Sequence, residues 1–116
     1  MFGLTRWMAS ADDEYGESRA IHFVRLDKIR PALVLTRAIA VPHLSGITVA
    51  PITTTIRGLA TEVLVGRRNN LDRDSVVHCD SIQTIPRANL LAAVGLLLPD
   101  QDENLARAIR AAFDLD

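Results

Sequence analysis

The chain is 116 residues long, carries a formal net charge of −1 and is 48% hydrophobic, which describes one globular domain and excludes a disordered or fibrous chain. Cys79 is the only cysteine, so no internal disulfide forms and a reducing, cytoplasmic location is expected. No basic start leads into an apolar run, so no signal peptide is expected, and the longest apolar run, LLAAVGLLL at 90–98, is far short of a membrane span.

Residues 1–19, with the acidic stretch ASADDEYGES, lack a periodic pattern and are expected to form a flexible N-terminal extension. A single domain is expected over 20–116. AIHFVRL (20–26) alternates as a strand, with Ile21, Phe23 and Arg25 on one face and His22, Val24 and Leu26 on the other. ALVLT (32–36) is a continuous apolar run, the pattern of a strand covered on both faces. AVPHLSG (40–46) is a turn. GITVAPITTTI (46–56) is a β-branched strand, and Pro51 inside it implies an edge or a bulge because proline donates nothing to a ladder.

TEVLV (61–65) follows as a strand and GRRNNLDRD (66–74) as a loop. SVVHCDSIQTI (75–85) is a strand broken near Asp80. Pro86 starts a short helical turn through Leu90, and LLAAVGLLL is the last strand, with a bulge at Gly95. Asp100 and Glu103 have the spacing of a capping box, and Leu105, Ile109 and Phe113 recur at intervals of four. Five to seven short strands and one C-terminal helix predict a mainly β fold, a small barrel with a helix packed on it. Aromatics are too few to fill that core, which must be aliphatic.

Residues 21–97 carry nine Arg or Lys against five acids, between two acidic ends. A basic body suits an anionic ligand, although ordinary domains carry such an excess too. Arg30 precedes Pro31, which pushes it into the extended region and fixes its backbone; Arg-Pro also simply begins strands. Thr53, Thr54 and Thr55 offer hydroxyl donors, yet threonine is a common strand residue. His78 and Asp80 share a face if their strand stays regular, whereas Cys79 points away from both, which excludes a Cys–His pair. Arg67, Arg68 and Arg73 sit in a loop where solvation is the simplest role. His22, His43 and His78 have no ligand-type spacing, so no metal and no cofactor are expected.

LDKIRPALVLTR, ITVAPITTTIRGLATEV and SVVHCDSIQTIP, in that order, resemble the MazF/PemK (Kid-like) toxin endoribonucleases, most closely the mycobacterial type, over residues 20–113. The resemblance implies an SH3-like, PemK-like barrel with a C-terminal α-helix, assembled as a homodimer. It implies the toxin of a type II toxin–antitoxin system that cuts single-stranded RNA (mRNA, rRNA or tRNA) without metal and is inhibited by a MazE-type antitoxin. The family's site arginine falls on Arg30, its site threonine on Thr53, and the Kid-branch carboxylate on Asp80. Lys28, Thr54, Arg57 and His78 are assigned to substrate binding. The loop before Arg30 is shorter than in many relatives, leaving Asp27 and Lys28, and Ser81 replaces a common glutamine.

The implied reaction uses the RNA's own 2′-hydroxyl as nucleophile. Arg30 suits the binding of two phosphate oxygens, Thr53 the donation to one, and Asp80 or His78 the removal of the proton. The alternatives are a CcdB-like gyrase inhibitor and a degenerate, non-cutting binding module of the same fold. This chain ends FDLD rather than in an aromatic-Gly-Ile tail, and its body offers few aromatics for a ligand.

Overall fold

The computed structural model describes residues 19–116, so the extension expected over 1–19 lies, apart from Arg19, outside the described residues. Seven strands run in the order β1 (Ala20–Arg25), β2 (Ile29–Val34), β3 (Gly46–Thr53), β4 (Glu62–Val65), β5 (Ser75–His78), β6 (Gln83–Pro86) and β7 (Leu90–Leu96), followed by helix α1 (Pro99–Phe113). All pairings are antiparallel. The spatial order is β4-β5-β3-β2-β1-β7, and β6 pairs with the first half of β3. Mainly β with a C-terminal helix is therefore the observed class. The break near Asp80 is a 3-10 turn at Cys79–Ser81, and the helical turn after Pro86 is Arg87–Asn89.

The sheet separates two aliphatic clusters. Ile21, Leu33, Ala50, Ile52, Val63 and Val77 face α1 on one side, while Val24, Ala32, Val34, Ile47, Val49 and Ile85 pack on the other. Strand alternation explains the division, since Ala32 and Val34 point one way and Leu33 the other. β1 follows suit: Ile21 joins one cluster and Val24 the other, so its two faces are both partly covered. Removing a side chain such as Leu33 from water stabilises by roughly 1.5–3 kcal/mol.

Pro51 does not lie at an edge. β3 is central, and Pro51 pairs with Ala32 of β2. Thr48 turns its backbone toward β2, donating to Thr36 Oγ1 at 2.8 Å and accepting from Leu35 at 2.8 Å. Three residues on, Pro51 therefore turns its nitrogen the other way. On that side β6 stops opposite Val49 and β5 begins opposite Ile52. The missing donor falls in the gap between two partners, where no ladder bond is lost.

Gly95 does mark an irregularity: Ile21 pairs with Gly95 but His22 pairs with Ala93. A β-carbon at Gly95 would lie 2.1 Å from the carbonyl oxygen of Asn69, so only glycine lets the two backbones meet.

The helix starts earlier than the Asp100–Glu103 box suggests. Pro99 opens it, and Leu98 N–H donates to Gln101 Oε1 at 2.9 Å. Proline at the first position loses nothing, because that N–H has no helical partner. Gln101, Leu105 and Ala108 are buried, while Phe113 is 55% exposed and lies off the expected stripe. Gln101 also exchanges amide bonds with buried Asn69, at 2.6 and 3.1 Å. Asn69 further donates to Leu96 O and accepts from Gly66 N, stitching the 66–74 loop to the helix and β7.

Candidate active site

The β2–β3 ladder ends at Ala32–Pro51. Two residues further along the same register, Arg30 and Thr53 stand opposite each other where the strands part. On the far side of β3, the register that pairs Ile52 with Val77 brings Pro51 level with His78, and His78 pairs directly with Glu62 of β4. Alternation sends all five side chains to one face. They line a cleft of about 240 Å³, together with Thr55, Arg57 and Ser81.

Arg30 is half-buried. Its NH2 group donates to both carboxylate oxygens of exposed Asp27, at 3.0 and 3.1 Å. Its Nε is buried with no hydrogen-bond partner. Part of the guanidinium's donor capacity is therefore uncommitted, and an unpaired buried N–H costs about 1–3 kcal/mol. Thr53 Oγ1 accepts the Thr55 N–H at 3.2 Å, leaving its own proton to donate. His78 Nδ1 lies 2.8 Å from Ser81 Oγ, which leaves Nε2 for a substrate. Arg57 and Glu62 complete the charged lining. Glu62 is committed elsewhere: it accepts the backbone N–H groups of Arg57, Gly58 and Leu59.

Of the expected site residues, Arg30, Thr53, Arg57 and His78 come together in the cleft. Asp80, Lys28 and Thr54 do not line it. Asp80 sits on the 3-10 turn after β5, exposed, and accepts the Thr61 hydroxyl at 2.7 Å. The strand ends at His78, so the shared face expected for His78 and Asp80 does not extend that far. Lys28 is exposed in the β1–β2 turn. Thr54, one residue past Thr53, borders a separate cleft with Phe23, Pro31 and Arg73. Arg68 spends both terminal nitrogens on Asp100, at 3.1 and 2.8 Å. The sequence marks Ser81 only as the replacement of a common glutamine and does not mark Glu62, because only the turn after His78 and the β4–β5 register bring them to the site.

Cys79 is 1% exposed, and burial followed by the nearby Asp80 charge pushes its thiol up to about 11. It is an aliphatic-core residue. Among the described residues, no three His, Cys, Asp or Glu side chains gather as a metal site would require. No helix of the described residues is long and apolar enough to cross a membrane.

The family model of PemK-like, MazF-like toxins of type II toxin–antitoxin systems matches residues 7–113. The chain belongs to this family. It is 57% identical over 98 residues to endoribonuclease MazF3 of Mycobacterium tuberculosis, a match covering 84% of this chain and 95% of that protein. Probable endoribonuclease MazF5 of the same species is 38% identical over 86 residues, 73% of this chain and 79% of the relative. Among solved structures, M. tuberculosis toxin MazF-mt6 superposes with a TM-score of 0.83 at 57% identity, covering 84% of this chain and 99% of that one. A mycobacterial endoribonuclease in complex with its cognate antitoxin shares the fold, with a TM-score of 0.74 at 22% identity, covering 84% and 93%. The cleft is thus found in a MazF-type toxin.

Proposed function

We propose that this MazF-type toxin is an endoribonuclease that cleaves single-stranded RNA in the Arg30–Thr53–His78 cleft. The observation that carries the reading is the juxtaposition, on one sheet face, of a guanidinium with uncommitted donors, a threonine hydroxyl and an imidazole. The family membership and the names of the relatives at 57% and 38% identity support the substrate class.

In this reading His78 Nε2 takes the proton from a ribose 2′-hydroxyl. The oxygen attacks the adjacent phosphorus, the P–O5′ bond breaks, and the products are a 2′,3′-cyclic phosphate and a 5′-hydroxyl that receives a proton. Arg30 and Thr53 donate to the non-bridging oxygens, where charge builds up. One such fixed donor is typically worth about 3–4 kcal/mol. Asp80 acts at a distance, holding Thr61 beside Glu62 rather than touching RNA. The lone buried cysteine agrees with action in the cytoplasm. A homodimer and a MazE-type antitoxin complete the proposed assembly, the latter by analogy with the mycobacterial toxin–antitoxin complex.

Purified protein incubated with single-stranded RNA in EDTA should yield fragments ending in cyclic phosphate and 5′-hydroxyl. Replacing the ribose 5′ to the cut with deoxyribose should stop the cut. Cleavage of that deoxy position at the normal rate would refute the chemistry.

A further inference from the structure

Between Thr53 and Glu62 the chain leaves the sheet for eight residues without regular secondary structure of its own. This segment is exposed from Thr54 to Ala60, and it carries Arg57 to the cleft. Exposed loops of this kind ordinarily fluctuate. Here one carboxylate gathers it. Glu62 Oε1 accepts from Arg57 N at 3.2 Å, Gly58 N at 2.9 Å and Leu59 N at 3.2 Å, and Oε2 accepts from Arg57 N at 3.4 Å. Three successive amides can converge on one oxygen because Gly58 adopts φ +74°, a left-handed conformation that turns the chain into an anion-binding nest. The other end of Glu62 is equally fixed, since its backbone pairs with His78 across the β4–β5 ladder.

We propose that Glu62 is a positioning residue for RNA binding: its carboxylate fills the nest at 57–59 and so holds the Arg57 guanidinium at the cleft beside Arg30. This rests on the endoribonuclease reading above. Glu62 acts through the loop and not as the proton acceptor, because Oε1 already receives three N–H groups. The Arg57 charge it positions contacts an RNA phosphate flanking the one that is cut.

The test uses the full chain and a fluorescent 2′-O-methyl RNA oligonucleotide, which binds but lacks the free nucleophile, alongside cleavage of its unmodified counterpart. Glu62→Ala should weaken binding about tenfold and raise KM with little change in kcat. It should also flatten the dependence of log affinity on log salt by about 0.7, the loss of one single-strand phosphate contact. Glu62→Gln keeps a neutral acceptor and should fall between Ala and wild type, since charge-assisted bonds are roughly twice as strong. In an Arg57→Ala background neither change should weaken binding further. Wild-type affinity in both Glu62 variants, or equal losses with and without Arg57, overturns the proposal and leaves the nuclease reading intact. A collapse of kcat in Glu62→Gln with binding retained also overturns it, by making Glu62 the base. Failure of the wild-type protein to bind the oligonucleotide overturns the nuclease reading itself, and this inference with it.

Discussion

Arg30 and Thr53 occupy matching positions on β2 and β3, two residues beyond the last paired residues, Ala32 and Pro51. The strands part there, so two side chains that would be cross-strand neighbours in a closed ladder instead flank an open cleft. The switch of β3 from β6 to β5 gives His78 access to the same face.

Strand alternation makes Thr53 and Thr54 a matched pair with opposite expected outcomes. Thr53→Val should lower kcat by roughly 10²–10³-fold, the usual effect of removing one donor to developing charge. Thr54→Val, on the other face, should leave kcat within about twofold. Steady-state cleavage of one short RNA by both variants checks this.

His78 and Asp80 are separated by the same means. His78→Ala should lower kcat by roughly 10²–10⁴-fold, the usual contribution of a positioned general base. Asp80→Asn should keep most of the rate, because its carboxylate engages Thr61 outside the cleft. Steady-state cleavage of one RNA by the three proteins is the measurement.

The Asn69–Gln101 amide pair is a stability element. Both side chains are nearly sealed from solvent, at 1% and 3% exposure. Gln101→Leu leaves Leu98 N–H and one Asn69 amide N–H without an acceptor, while Asn69 keeps its bonds with Leu96 O and Gly66 N, and it should cost about 2–4 kcal/mol, at roughly 1–3 kcal/mol per orphaned buried group. Urea unfolding should show a lower midpoint with the slope unchanged.

Cys79 should be inert in the native state. Its thiol rises from an ordinary 9.0 to about 11, chiefly through burial. A group raised in the folded state adds stability that is full below about pH 9 and is lost as pH climbs toward 11. Iodoacetamide at pH 8 should therefore label only unfolded protein, and Cys79→Ala should flatten the alkaline fall in stability.

Much of this was legible in the residues. AIHFVRL (20–26), ALVLT (32–36) and GITVAPITTTI (46–56) each overlap a strand, Ala20–Arg25, Ile29–Val34 and Gly46–Thr53 in turn, and SVVHCDSIQTI breaks where expected. The Arg30, Thr53 and His78 segments converge because three neighbouring strands of one antiparallel sheet carry them, at registers that only the pairing shows. What stayed hidden depended on partners. Pro51 in isolation reads as an edge or bulge signal, and only the partner switch beside it shows how a central strand accepts it. The helix start departs from the Asp100–Glu103 spacing because a glutamine one turn in, Gln101, serves the Leu98 amide, while Asp100 is drawn to Arg68. Asp80 lies on the turn at Cys79–Ser81 rather than on a continued strand, and the β4–β5 pairing brings Glu62 to the cleft.

The most direct measurement is single-turnover cleavage of a single-stranded RNA by wild-type protein and Arg30→Ala, with far-UV circular dichroism confirming that both are folded. The account predicts that Arg30→Ala folds normally and cuts at least about 10²-fold more slowly, as loss of a fixed donor at the phosphate requires. An Arg30→Ala protein that cuts the same site at the wild-type rate would contradict it.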